Sequence, residues 1–412
     1  MRKFWALFLV FLLQFHIVTF AEKTSDIDTI NRMEREIAKQ LIENYYRGVP
    51  ETKIKIDLDV VSVRRIYLYV YSVISERLNV KSSIQNQQLW IETRENQYHE
   101  RSIQKAKEIN KSILNENMTE LEKIIAIHDW IVFHTEFDTE VVRTATTIND
   151  ENIYAFCADG VFTHKKAVCS GYAAAFKMMC QEAGIPCFTI NSRIKNHTWN
   201  VVYYDGAWRF IDVSKENRIK NPVNILSIYS YFMLSENELP QKTHQLDEFS
   251  ENTISLKEYI TFYNEYANKQ HNSNAKSVHA DIMKQLAEKD NPYAMFSLAK
   301  MYLNGTYGLE KSEVERFQWY YKAAVLGHTV AQNNIAYCYK NGIRVEKNEV
   351  LAFWWYQKAT EKGFHISQLE MGNFYRLGLG GVKKDMEIAK SWYEKAAAQG
   401  NTTAVDMLKK YF

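Results

Sequence analysis

Cys169, His197 and Asp212 are the residues whose types and order could do nucleophilic chemistry. Cys169 lies in Ala167-Val168-Cys169-Ser170-Gly171-Tyr172-Ala173-Ala174-Ala175-Phe176, and Gly184 with Pro186 closes the segment. Ala-rich composition with a Gly-x-Pro stop predicts a helix from Cys169 to Ala183. At a helix N-terminus, unpaired N–H groups and the macrodipole favour negative charge, which lowers a thiol pKa and makes a nucleophile. The same position suits a buried structural thiol, and position alone does not choose between the two.

The elements that must position an imidazole and a carboxylate follow in the chain. Cys187-Phe188-Thr189-Ile190 reads as a short buried strand. Lys195–Tyr204 and Ala207–Val213 then flank Asp205-Gly206, a two-residue hairpin signal. In that register Tyr204 faces Ala207, His197 faces Ser214 and Trp199 faces Asp212. His197 and Asp212 become diagonal neighbours on one face, about 7 Å apart at Cα. Ordinary solvent-facing polar residues of a hairpin would look the same. Taken with Cys169, the set fits a thiolate activated by an imidazole that a carboxylate orients, attacking an amide carbonyl to form an acyl-thioester.

Upstream, Ser25–Tyr46 repeats apolar residues at helical steps, Val60–Leu78 fits helix or strand, Gln88–Tyr98 alternates like a strand, and Glu100–Leu114 is helical. Thr119 with Glu122 marks a helix start running to His134. Asp138–Asn152 is polar and reads as loop, and Ile153–Lys166 as a short ordered segment before Cys169.

Ala-Val-Cys-Ser-Gly-Tyr-Ala, then His197-Thr198-Trp199-Asn200, then Trp208-Arg209-Phe210-Ile211-Asp212-Val213, resembles the transglutaminase-like (transglutaminase core) superfamily. The resemblance covers Thr119 to Leu246. It includes His128-Asp129-Trp130-Ile131 on the helix leading into the core and Tyr231-Phe232-Met233-Leu234-Ser235 as the family's closing strand. It implies an α+β papain-like fold and a Cys-His-Asp triad at Cys169, His197 and Asp212. It implies acyl transfer on protein or peptide amides, by transamidation, deamidation or proteolysis. A catalytically silent scaffold or binding protein is the alternative, because the superfamily includes inactive members. Where the family commonly continues Val-Thr-Trp-Asp, this chain has Val213-Ser214-Lys215-Glu216. Bacterial members are not calcium-dependent as a rule, and no carboxylate loop of calcium-binding spacing occurs here.

The C-terminal third repeats itself. Trp319-Tyr320-Tyr321-Lys322-Ala323-Ala324 returns as Trp355-Tyr356-Gln357-Lys358-Ala359 and as Trp392-Tyr393-Glu394-Lys395-Ala396-Ala397, closed by Gly327, Gly363 and Gly400. The period of 36 to 37 residues, with two helical patterns per unit, means an all-α solenoid. The pattern resembles Sel-one-like repeats, relatives of the tetratricopeptide repeat, which implies a protein partner. Trp319, Trp354, Trp355 and Trp392 read as inter-helix packing.

Length and balance bound the rest. The 412 residues carry 51 Lys plus Arg against 49 Asp plus Glu, which predicts no nucleic-acid footprint and no polybasic membrane patch. Arg2 and Lys3, the apolar run Phe4–Leu13 and Thr19-Phe20-Ala21 read as a signal peptide cleaved after Ala21, with an uncleaved membrane anchor as the alternative. The expected location is secreted or cell envelope. A glycan at the Asn196 sequon would obstruct His197, which favours a bacterial origin, where sequons go unused. Cys157, Cys169, Cys180, Cys187 and Cys338 are an odd, sparse set and no disulfide framework, although Cys180 and Cys187 could pair. No Cys-x-x-Cys pair or zinc-spaced His cluster occurs, and neither metal nor cofactor is expected. The expected organisation is a signal peptide (1–21), a supporting region (22–118), a transglutaminase-like core (119–248), a connecting helix and linker (249–280), and a repeat solenoid (281–412).

Overall fold

A computed structural model describes residues 27–47, 51–55, 61–74, 88–92, 98–144, 152–192, 196–217, 229–240, 244, 255–270 and 277–412. The signal-like segment lies outside them. The chain begins with α1 (Ile27–Tyr46), β1 (Glu51–Lys55), α2 (Val63–Val73), β2 (Gln88–Glu92), α3 (His99–Ile113), α4 (Glu120–His134) and β3 (Glu136–Phe137). It continues with α5 (Thr139–Thr144), β4 (Lys166–Ala167), α6 (Cys169–Glu182), β5 (Cys187–Ser192), β6 (His197–Tyr204), β7 (Ala207–Ile211) and α7 (Val213–Asn217). The remaining helices are α8 (Leu256–Ala267), α9 (His279–Glu288), α10 (Pro292–Asn304), α11 (Glu313–Val325), α12 (Thr329–Asn341), α13 (Glu349–Glu361), α14 (His365–Leu377), α15 (Met386–Ala398) and α16 (Thr402–Tyr411). Contacts divide the chain into two compact units, one of residues 1–127, 138–208 and 240–272, the other of residues 128–137, 209–239 and 273–412.

In the first unit a three-stranded sheet, ordered β5-β6-β7, backs onto α6. β5 and β6 pair antiparallel from Cys187 opposite Val202 to Ser192 opposite His197. Asp205 and Gly206 sit at φ of 51° and 69°, the double left-handed turn that the dipeptide favours and that fits the strand twist. Helix α2 resolves the helix-or-strand ambiguity at 60–78: Ser62 caps its first turn by accepting from the Arg65 N–H. Arg65 is buried, and its guanidinium holds Glu34 of α1 (2.7 Å) and Glu258 of α8, so one charged cluster joins three helices. The segment expected as loop after Asp138 contains α5, because the Asp138 carboxylate accepts from the Val141 N–H and seeds a helical turn. Cys157, Cys180 and Cys187 are buried, and none of them is in a disulfide.

In the second unit, helix pairs stack in sequence order from α9 to α16. Each inner helix of the repeats ends on a left-handed glycine, Gly305, Gly342 or Gly378. Ser312, Asn348 and Asp385 cap the outer helices. The expected closing strand at 231–235 is a single antiparallel bridge, Phe210 to Leu234, because Met233 at φ 58° breaks the extended run. Of the four tryptophans expected to pack between helices, Trp355 is buried. Trp319 and Trp392 are part-exposed and Trp354 is 46% exposed. Each lies beneath a lysine of the next turn, with Lys322 Nζ 4.1 Å from the Trp319 ring and Lys395 Nζ 4.4 Å from that of Trp392. The tyrosines one residue later in the first and third repeats, Tyr320 and Tyr393, and Tyr356 between them, fill the core instead.

Tyr393→Ala is therefore expected to cost about 3–5 kcal/mol and Trp392→Ala less than about 1 kcal/mol in urea unfolding followed by circular dichroism.

Candidate functional site

Cys169 is the first residue of α6 and the only one of the five cysteines that is not buried. The preceding Val168 is extended and supplies no side-chain cap. The rest of α6 is enclosed, with every residue from Gly171 to Cys180 buried. Backbone fixes the entry to this helix: the Val168 N–H donates to the Ala155 carbonyl at 2.9 Å. Gly171 packs against that same turn so tightly that a Cβ would stand 2.4 Å from the Ala155 oxygen. Gly160 faces the Tyr154 and Lys166 carbonyls in the same way, at 2.6 and 2.7 Å. The segment carrying these carbonyls is a 3-10 turn (Ile153–Phe156) followed by a π turn (Gly160–His164), stapled by buried Asp159, which accepts from Arg101 and Thr163.

His197 opens β6 and is 6% exposed. Its ring lies 5.8 Å from that of Trp199 and 5.7 Å from that of His244, and His244 meets Trp199 edge-on at 5.0 Å. Asn200, three residues along β6, is fully enclosed and donates from Nδ2 to the Ala173 carbonyl (2.9 Å) and the Phe188 carbonyl (3.3 Å). The strand that begins with His197 is thereby pinned to α6 one turn inward from Cys169.

Asp212 follows β7 and is buried. Its N–H donates to the Tyr231 carbonyl at 3.0 Å, and its Oδ1 accepts from Ser214 Oγ (2.8 Å) and the Lys215 N–H (3.1 Å), which starts α7. Two features escaped the sequence, His244 and the Tyr229 partner of Asp129. His244 stands in a polar run without a motif. His128, fully buried, pairs through Nδ1 with Asp129 Oδ1 at 2.8 Å, while Tyr229 Oη donates to Asp129 Oδ2 at 2.8 Å; nothing near position 229 announces that partner.

Residues 107–213 match the family model of the Transglutaminase-like superfamily, and residues 292–328, 329–364 and 365–401 each match the Sel1 repeat. The chain thus carries a transglutaminase-like α+β domain followed by three Sel1 repeats. It is 30% identical over 119 residues to Kyphoscoliosis peptidase of Mus musculus, and likewise to that of Homo sapiens, covering 26% of this chain and 17% of each relative. Among solved structures, a Sel1 repeat protein from Oxalobacter formigenes is 39% identical, with a TM-score of 0.31, over 32% of this chain and 99% of that one. A TGase crystal structure is 17% identical, with a TM-score of 0.25, over 40% of this chain and 51% of that one.

Gly171→Ala is expected to push the first turn of α6 off the Ala155 carbonyl, at about 1–3 kcal/mol, read as a lower urea midpoint.

Proposed function

We propose that Cys169, His197 and Asp212 form the triad of an exported acyl-transfer enzyme acting on protein or peptide amides, with the Sel1 repeats binding a protein partner. The observation that carries this reading is a half-buried cysteine opening α6 beyond an N-cap residue that supplies no side-chain cap, with the next turn tied by Asn200 to the strand that His197 opens. The left-handed Asp205-Gly206 turn supports the register in which His197 and Asp212 share a face.

In this mechanism His197 takes the Cys169 proton and the thiolate attacks the amide carbon. The Cys169 N–H donates to the oxyanion. His197 then returns the proton to the leaving ammonia or amine, and the carbonyl re-forms as a Cys169 thioester. Water or a lysine amine attacks the thioester, again losing its proton to His197, and the thiol is released with the acid or the new amide. Asp212 holds the imidazole in the tautomer that faces Cys169. Export rests on Arg2, Lys3 and the Phe4–Leu13 run; among the described residues, no helix is long and apolar enough to cross a membrane.

The test sets the protein against its Cys169→Ala variant on a glutamine-rich protein with a labelled amine. Label incorporation means transamidation, ammonia release without label means deamidation, and new termini mean proteolysis. Identical behaviour of the two proteins would sink the catalytic reading in favour of the silent scaffold. Alkylation of Cys169 is expected to be fast and flat near neutral pH; a rate that climbs only as pH approaches about 8.5, where free thiols ionise, would count against a thiolate.

A further inference from the structure

His197 and His244 form a pair of imidazoles that the acyl-transfer reading uses only by half. Both are buried, at 6% and 1% exposure, and their ring centres lie 5.7 Å apart with the planes at 75°. A ring nitrogen of each comes within 4.8 Å of one of the other's. Two imidazoles that share one tetrahedral zinc ion hold their nitrogens about 2.0–2.1 Å from it and their ring centres about 5 Å apart, so a small rotation of either ring completes the geometry. Spacing in the sequence could not show this pair, because His244 arrives from beyond β7.

The setting holds both rings in place, as a metal site requires. The buried Trp199 lies against each of them, inclined at 29° to His197 and edge-on to His244 at 5.0 Å. The His244 N–H donates to the Pro240 carbonyl at 2.8 Å, which fixes its backbone in a helical turn. A third ligand comes with the triad reading, which sets the Asp212 carboxylate beside His197. That carboxylate is already oriented: Oδ1 accepts from Ser214 Oγ at 2.8 Å and from the Lys215 N–H at 3.1 Å, and ligating carboxylates carry outer hydrogen bonds of this kind. Two imidazole nitrogens and one carboxylate oxygen suit Zn²⁺ and its first-row neighbours; Ca²⁺ and Mg²⁺ take oxygen.

Such an ion has a consequence for Cys169. It would take the His197 nitrogen that faces Asp212. The one proton of the neutral ring then sits on the nitrogen that faces Cys169, where proton transfer needs a lone pair.

We infer that His197, His244 and Asp212 bind a divalent first-row transition cation of the Zn²⁺ class, and that the bound ion blocks acyl transfer by taking His197 out of service as a base. The place of Asp212 and the inhibition rest on the triad reading; the metal binding is measured without turnover.

Binding is tested on the untagged chain in a Cys169→Ala background, so that the thiol supplies no ligand. Co²⁺ is expected to give a visible d–d band that saturates at one ion per chain, and Zn²⁺ to displace it with a dissociation constant near or below about 10 µM. Ca²⁺ and Mg²⁺ at about 1 mM should leave the band in place. His197→Gln and His244→Gln should each weaken the ion by about tenfold or more, and Asp212→Asn several-fold. His244→Cys keeps a ligand: it should hold the ion tightly and add a sulfur-to-cobalt band in the near ultraviolet, and it decides the matter if His244→Gln loses its helical circular dichroism. The chain with Cys169 intact is then assayed on the glutamine-rich protein. Zn²⁺ should suppress the reaction, a chelator should restore it, and His244→Gln should need about tenfold more Zn²⁺ for the same loss. No cobalt band, a band unchanged in the histidine variants or in Asp212→Asn, displacement by Ca²⁺, or a band that appears only with Cys169 present would each overturn the site. An activity indifferent to Zn²⁺ would overturn the inhibition alone. A chain without activity in any arm takes the inhibition down with the acyl-transfer reading and leaves the site to the cobalt band.

Discussion

A buried helix whose polar groups must all be answered governs the first unit. Helix α6 runs through the interior, buried from Gly171 to Cys180 and wetted only at its two ends. Several polar groups along it become attachment points. Lys177, fully enclosed, donates to the Ser72 carbonyl (3.1 Å) and the Val73 carbonyl (2.6 Å), filling the orphan acceptors at the end of α2. Asn110 of α3 donates to the Met179 carbonyl at 2.8 Å, and Asn200 of β6 to that of Ala173. A buried ammonium or amide without such partners would cost several kcal/mol, so these bonds fix the places of three neighbouring elements around the cysteine helix.

The same constraint explains the glycines around Cys169. At Gly171 and Gly160 the backbone of the preceding turn approaches so closely that no side chain fits, which is why Cys-Ser-Gly reads as a local motif. The aromatic layer behind the sheet is built on similar terms. Phe188 stacks flat on Tyr263 at 4.2 Å, the Tyr263 hydroxyl donates to the Thr189 carbonyl, and Trp208 donates to Asn264. Helix α8, which the sequence shows only as a connector, is thus part of the core that supports β5 and β7.

What could be read beforehand followed local rules. The Ala-rich run with Gly184 and Pro186 foretold α6, Asp205-Gly206 foretold the hairpin, and the recurrence of Trp-Tyr with Lys-Ala foretold the repeats. What could not be read depended on partners far away in the chain. Lys177 looks like a solvated residue of a helix until the end of α2 lies against it. The polar stretch after Asp138 hides a helical turn because its signal is one carboxylate and one N–H. For Trp319, Trp354 and Trp392, sequence periodicity shows a stripe but not how deep each ring sits; the small residues Ala323, Ala359 and Ala396 mark the fully buried side. His244 and the Asp129–Tyr229 pair carry no periodic or spacing signal at all.

The order of packing in the second unit has a mechanical consequence. From α9 to α16 each helix rests on its sequence neighbours, so cohesion is close to a sum of local interfaces. Local opening at one helix boundary need not disturb the pairs beyond the next boundary. The first repeat is not a bare edge. Phe133 packs on Tyr293 and Tyr229 accepts from Asn291, so pieces of chain from 128–137 and 229–239 cover it. The array is therefore anchored at its first repeat, and what holds it beyond that is passed from one helix pair to the next.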